Sequence, residues 1–238
     1  MMKKMSVFLL FVLIPLFLFS MDISEAIGDT TLFIYAFETN LHNLRITIDV
    51  LSKTQEVRSG DWESMRSLIE ELQVQDESTL YWFSKPDGNY YTVEKGLTGF
   101  NLQERGYFKQ LQREESVYGE LITGFTSLKK SIVVARPVYQ GEKLVGYLGG
   151  SKFTDALMAY LEAMAQNGVD RSFYVITPEG EEIIKYNIND KVADNLNTLM
   201  LETGFGLYPM SDSSPLEYQY MFGPSPETGW IYAVGRKK

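Results

Sequence analysis

The run GFNLQERGYFKQL places Arg105 one glycine ahead of two adjacent aromatics, Tyr107 and Phe108, in a 238-residue chain with only 22 lysines and arginines. A guanidinium offers a planar fork of donors suited to a carboxylate. Neighbouring aromatics can wall a pocket or pack as core. Together these residue types suit capture of a small anion. The competing assignment pairs Arg105 with Glu104 or Glu114 on a solvated face. Bond-breaking chemistry lacks its parts. The chain has no cysteine, which excludes thiol catalysis, disulfides and thiolate metal sites. Its one histidine, His42, makes neither a metal cluster nor a triad. No G-x-S-x-G occurs, and Glu181 and Glu182 alternate across a strand instead of converging. The expectation is a protein that is not an enzyme and has no metal and no cofactor; an exported hydrolase is the reading these absences count against.

Charge and the N-terminus narrow the setting. With a formal charge of −9 and no basic run longer than the terminal RKK, nucleic-acid binding is not expected. A composition of 45% hydrophobic and 22% charged residues is that of a folded domain. MMKK followed by SVFLLFVLIPLFLFS and MDISEA has the layout of a secretory signal, with cleavage placed after Ser20 or Ala26. The apolar stretch is short for a bilayer span, so cleaved export is favoured over a retained N-terminal anchor, the one membrane contact expected. Either way the protein is placed outside the cytoplasm, periplasmic or secreted.

The elements that would hold Arg105 follow from periodicity. Leu41, Leu44, Ile48 and Leu51 recur at spacings of three and four, marking a helix within 30–58. Asp61 or Ser59 caps a second helix bearing Trp62, Met65, Leu68, Ile69 and Leu72. TLYWFSKPDGNYYTV reads as a hairpin about a Pro-Asp-Gly turn, with Tyr81 and Phe83 on one face, lining a pocket or packing as core. A loop and short helix containing Arg105 follow. Next come three strands (YGELITGFTS, KKSIVVARPVYQ and KLVGYLGGSKF) and a helix ending before Gly168. SFYVITPEGEEIIKY repeats the first hairpin's design. DNLNTLMLETG reads as a short helix, YPMSDSSP as a loop, and LEYQYMFGP with ETGWIYAVG as a closing strand pair that buries Trp230. The fold class is α+β: a long N-terminal helix packed on two tandem antiparallel β-sheet modules.

TLYWFSKPDGNYY, NLQERGYFKQL and SIVVARPVYQGEKLVGYLGGSKFTDAL, in that order, resemble the membrane-distal half of double Cache domains, the PAS-like extracytoplasmic sensors of chemoreceptors and sensor kinases. YQYMFGPSPETGWIYAVG resembles the end of their membrane-proximal module. The resemblance covers about residues 30 to 238. It implies a distal pocket between the sheet and the insertion, where an arginine holds a ligand carboxylate, aromatics form the walls and an aspartate on the last strand takes the ligand amine. Carried over, the candidate ligand-binding residues are Arg105, Tyr107, Phe108, Tyr118, Tyr81, Phe83 and Ser151. Ser151 stands where the family has aspartate, and Phe100 stands where a hydroxyl-bearing aromatic is expected. A neutral serine cannot balance an ammonium, so an anionic ligand without an amine fits better than an α-amino acid. Lys152 would add a second charge, but neighbours on a strand face opposite ways, so one of the pair points inward.

The organisation expected is residues 1–26 as signal or anchor, 27–78 helical, 79–168 the distal-type Cache module and 169–238 a smaller proximal-type module. Family members continue into a second membrane helix and a signalling module, whereas this sequence ends at GRKK. The expected function is therefore an extracytoplasmic sensor-type protein that binds a small carboxylate and acts through a membrane receptor or kinase partner. The alternative is a degenerate Cache fold serving as an interaction scaffold without a ligand.

Overall fold

The computed structural model describes residues 23–165, 171–208 and 218–237. The apolar N-terminal stretch, Gly168 and most of the YPMSDSSP loop lie outside the described residues. Leu41, Leu44, Ile48 and Leu51 share one side of α1 (Ile23–Leu51), and all four are buried. After α2 (Gln55–Arg58), the Asp61 carboxylate caps α3 (Trp62–Gln75) by accepting from Ser64 N at 3.0 Å. Trp62, Met65 and Ile69 form its buried face. No described helix is long and apolar enough to cross a membrane.

The first sheet comprises β1 (Thr79–Ser84), β2 (Asn89–Thr92), β3 (Gly96–Asn101), β4 (Val117–Thr123), β5 (Lys130–Gln140) and β6 (Lys143–Phe153). Its order is β3-β2-β1-β6-β5-β4, with antiparallel neighbours throughout. A 3-10 turn (Leu102–Glu104) and α4 (Phe108–Gln112) lie between β3 and β4. After α5 (Thr154–Ala165), the second sheet comprises β7 (Arg171–Ile176), β8 (Glu182–Tyr186), β9 (Gly206–Tyr208), β10 (Tyr218–Pro224) and β11 (Ile231–Lys237), ordered β8-β7-β11-β10-β9. Helix α6 (Asp190–Thr203) precedes β9. Without β3, the first sheet has the second's order. The hairpin design repeated in the sequence is thus a repeated topology.

Three elements depart from the sequence reading. GLTGFN was expected as loop and forms β3. Its glycines Gly96 and Gly99 take φ of 62° and 76°, and Leu97 and Phe100 are exposed, so no alternation announces a strand. The short β9 was likewise not anticipated. Helix α6 starts at Asp190, ahead of DNLNTLMLETG, because Asn189 caps it by accepting from Val192 N at 3.0 Å.

Helix α1 serves both sheets. Phe33, Phe37 and Leu41 pack on Phe173, Val175, Trp230, Tyr232 and Val234 of the second. Leu44, Ile48 and Leu51 pack with α3 against Tyr81, Phe83, Val134 and Leu148 of the first. At the junction Glu38 is buried, and its Oε1 accepts from Tyr232 Oη at 2.7 Å and Thr228 Oγ1 at 2.8 Å. The opposite faces of the two sheets differ. On the second, Leu196 and Met200 of α6, both fully buried, fill the space over Tyr174, Tyr220 and Phe222. On the first, the 102–112 insertion covers the face and leaves room beside Arg105.

Candidate ligand-binding site

A backbone clasp holds the insertion. Leu102 N donates to the Gly88 carbonyl at 2.8 Å, and Asn101 Nδ2 donates to the Asp87 carbonyl at 3.0 Å. Asn101 Oδ1 meanwhile accepts from Gln103 N at 2.8 Å, capping the 3-10 turn. Gly88 has φ +85°, and a Cβ there would run into the Asn101 side chain. The Pro-Asp-Gly turn and the Asn-Leu pair are therefore two halves of one contact that fixes where Arg105 emerges. Below it, Phe108 and Leu111 are buried with Tyr147, Val133 and Ala135.

Arg105 reaches across to the end of β4. One terminal nitrogen, Nη2, donates to the Thr123 carbonyl at 2.6 Å. The guanidinium carbon sits 3.5 Å from the centre of the Phe125 ring, which stacks on Phe100 at 5.3 Å. Arg105 Nε is buried with no hydrogen-bond partner, and no described acidic residue makes an ion pair with this side chain. The arginine faces a cavity of about 20 Å³ whose walls include Trp82, Tyr90, Tyr107, Ile122, Phe125 and Ser151. That is room for about one water molecule. No aspartate or glutamate is among the lining residues. Burial pushes the Tyr107 phenol pKa up, with the Arg105 charge pulling the other way, so the hydroxyl stays protonated.

Four of the expected site residues converge or nearly do. Arg105, Tyr107 and Ser151 line the cavity, while Phe108 packs beneath it, edge-on to Tyr147 at 5.3 Å. Tyr81, Phe83 and Tyr118 do not converge. Tyr81 and Phe83 share a face, and it is the α1 side of the sheet. Their neighbours Leu80 and Trp82 take the cavity side. Tyr118 also points to the α1 side. There its hydroxyl lies 3.2 Å from Glu227 Oε2 and 3.5 Å from Glu38 Oε2, and its ring lies under Arg45. Phe100 is exposed and stacks behind Phe125, outside the lining. Trp82 and Tyr90 went unsingled by the sequence reading. Parity of β1 named Trp82's face only relative to Tyr81, and nothing local says which side receives α1.

Ser151 and Lys152 divide as alternation requires. Ser151 Oγ accepts from Trp82 Nε1 at 3.1 Å on the cavity side. Lys152 lies on the other face, with Nζ 3.2 Å from Asp76 Oδ1, so it adds no charge to the cavity. Burial alone would raise the Asp76 carboxyl pKa, but hydrogen bonds from Ser78 and Thr79 and the Lys152 charge outweigh it and hold it below its usual 3.8. A carboxyl depressed in the folded state stabilises the fold above its unfolded pKa and loses that contribution as pH falls through the folded value. Asp76→Asn should therefore flatten the acid limb of melting temperature between about pH 5 and about pH 2. An unchanged slope would mean the Asp76 pair contributes nothing to acid stability.

No family model matches the sequence, and no curated protein does. Solved structures do match. An extracellular ligand binding receptor from Desulfohalobium retbaense superposes with a TM-score of 0.69 at 11% identity, over 87% of this chain and 40% of that one. This chain thus spans about two fifths of that receptor. The ligand-binding domain of the Pseudomonas fluorescens chemoreceptor CtaA, solved with L-serine, gives 0.67 at 14% identity, covering 90% of this chain and 96% of that domain. The sensor domain of the V. cholerae histidine kinase DctB gives 0.66 at 14% identity, with the same two coverages. The chain has the double Cache fold of these sensor domains: a long helix along two stacked PAS-like sheets.

Proposed function

We propose that this chain is an extracytoplasmic ligand-binding domain of the sensor type, which captures a small carboxylate on Arg105 and acts through a receptor or kinase partner. The observation that carries the reading is the half-buried guanidinium, with a buried and unbonded Nε, in a cavity without a counter-charge. A buried N–H without an acceptor is costly, and an anion on the guanidinium fork would relieve that cost at Nε. A carboxylate on the guanidinium fork would satisfy Nε and replace the single bond to Thr123. Cache-fold neighbours are sensor and receptor domains, and the sequence lacks a nucleophile–base pair or a metal cluster, which supports binding over catalysis.

The scaffold reading has its own supporting observation. The cavity is small, with Phe125 stacked on the arginine and Ser151 engaged by Trp82. Thermal-shift titration with small carboxylates separates the two readings. At 100 times its dissociation constant a ligand adds about 2.7 kcal/mol of stability, roughly 5–10 °C for a chain of this size. Arg105→Ala is expected to remove that shift and Arg105→Lys to reduce it, since an ammonium lacks the fork. Absence of any Arg105-dependent shift across a broad carboxylate set would leave the scaffold reading in place.

A further inference from the structure

The Arg105 cavity is too small to hold a whole organic acid, so the rest of a ligand must lie elsewhere. A second cavity, of about 290 Å³, adjoins it and shares three wall residues, Leu80, Thr126 and Ser127. Its other walls are Gln73, Val93, Glu94 and Phe153. Leu80 is the register partner of Ser151 and stands two residues, or about 7 Å, along β1 from Trp82. The second cavity therefore continues from the first past Leu80 and Phe153 to the end of the sheet, where Gln73 of α3 and Val93, which packs with the α1 and α3 side chains, complete its wall. The partition between them is the β4–β5 turn, where Thr126 and Ser127 touch both spaces.

The chemistry of the larger cavity is one-sided. Leu80, Val93 and Phe153 are apolar, and the Gln73 amide is already engaged: its Nε2 donates to the Asp76 and Thr79 carbonyls and its Oε1 accepts from Tyr81 N. The one charge on the wall is Glu94, largely exposed and paired with Lys95 at 3.3 Å. Glu94 is neutralised by Lys95, and Lys129 over the Phe153 ring by Asp155, so a second carboxylate arriving there would find no unpaired cation. An α-ammonium beside Arg105 would find no acid among the lining residues to balance its charge. Lys152, the cation a dicarboxylate would need, is held by Asp76 on the opposite face.

We infer that the site takes a monocarboxylate with an apolar tail, its carboxylate on Arg105 and its tail between Leu80, Val93 and Phe153, the Thr126–Ser127 partition parting to join the two spaces. The inference rests on the carboxylate reading above and names the ligand class within it.

The test is calorimetric titration of the full chain with acetate, butyrate, hexanoate and octanoate, with adipate and norleucine beside them. Affinity is expected to rise roughly fourfold per methylene, the gain from burying a CH₂, until the cleft is filled. Adipate and norleucine are expected to bind about tenfold or more below hexanoate, from an unpaired second carboxylate and an unpaired ammonium respectively. Phe153→Ser should flatten the chain-length dependence. Arg105-dependent binding with no chain-length dependence, or with adipate or norleucine preferred, would overturn the tail assignment and leave the carboxylate site standing. Loss of all Arg105 dependence would remove both.

Discussion

Phe37→Ala is expected to lower the unfolding free energy by about 3–5 kcal/mol, the range for removing a fully buried aromatic. Phe37 has no exposed surface, and its ring meets those of Trp230 at 6.0 Å and Tyr232 at 5.4 Å, both edge-on, with Phe33 at 6.4 Å. The cavity left by alanine would open between α1 and the second sheet, beside the buried Glu38 and its bonds to Tyr232 and Thr228. Tyr232 cannot move into it without breaking its bond to Glu38, which limits how much of the loss relaxation recovers. Thermal unfolding followed by far-UV circular dichroism gives the magnitude. Native-state hydrogen exchange gives the location: protection should fall most at β7 and β11, and least at β1 and β6, which rest on Leu44 and Ile48. A loss below about 1 kcal/mol would mean that α1 does not hold the second module as described.

Gly149→Ala should damage stability and ligand capture together. Gly149 lies on β6 opposite Trp82, and an added Cβ would sit 2.5 Å from both Cε2 and Cη2 of the indole. Real atoms do not approach so closely, and the indole has little freedom to withdraw. Its Nε1 is bonded to Ser151, and its ring packs edge-on to Tyr90 at 6.5 Å. Overpacking of this kind costs about 1–3 kcal/mol or more. Because Trp82 forms a wall of the Arg105 cavity, its displacement should also reduce the carboxylate-induced thermal shift. Trp82→Leu in the Gly149→Ala background relieves the overlap and should restore part of the stability without restoring the wall. If Gly149→Ala melted like the parent, the packing of Trp82 on β6 would be wrong.

Much of the scaffold around the site could be read locally. The Pro-Asp-Gly turn, the Asp61 cap and the two hairpin repeats depend on residues within a few positions of one another, where φ preferences and capping bonds act whatever the rest of the chain does. The insertion carrying Arg105 was visible for the same reason, as a break between strand-like runs. β3 was not, because its two left-handed glycines and its exposed Leu97 and Phe100 remove the alternation that marks a strand. The register between Gly88 and Asn101 was equally hidden, since the contact joins residues thirteen positions apart.

The sequence by itself determined which side chains share a face. Tyr81 goes with Phe83, Leu80 with Trp82, and Ser151 opposes Lys152, because a strand's geometry has a period of two. Tertiary structure decided which face became the site. Two faces of one sheet are equivalent until something covers them. Here α1 and α3 cover the side of Tyr81 and Phe83, while the insertion covers the side of Trp82 and Ser151. Tyr118 fell to the α1 side by the same choice, drawn to Glu227 and Glu38 from distant parts of the chain. On the matching face of the second sheet, α6 packs Leu196 and Met200 over Tyr174, Tyr220 and Phe222, whereas the first sheet carries the insertion and the space beside Arg105. Burial of that kind belongs to the packed assembly and is written in no single segment.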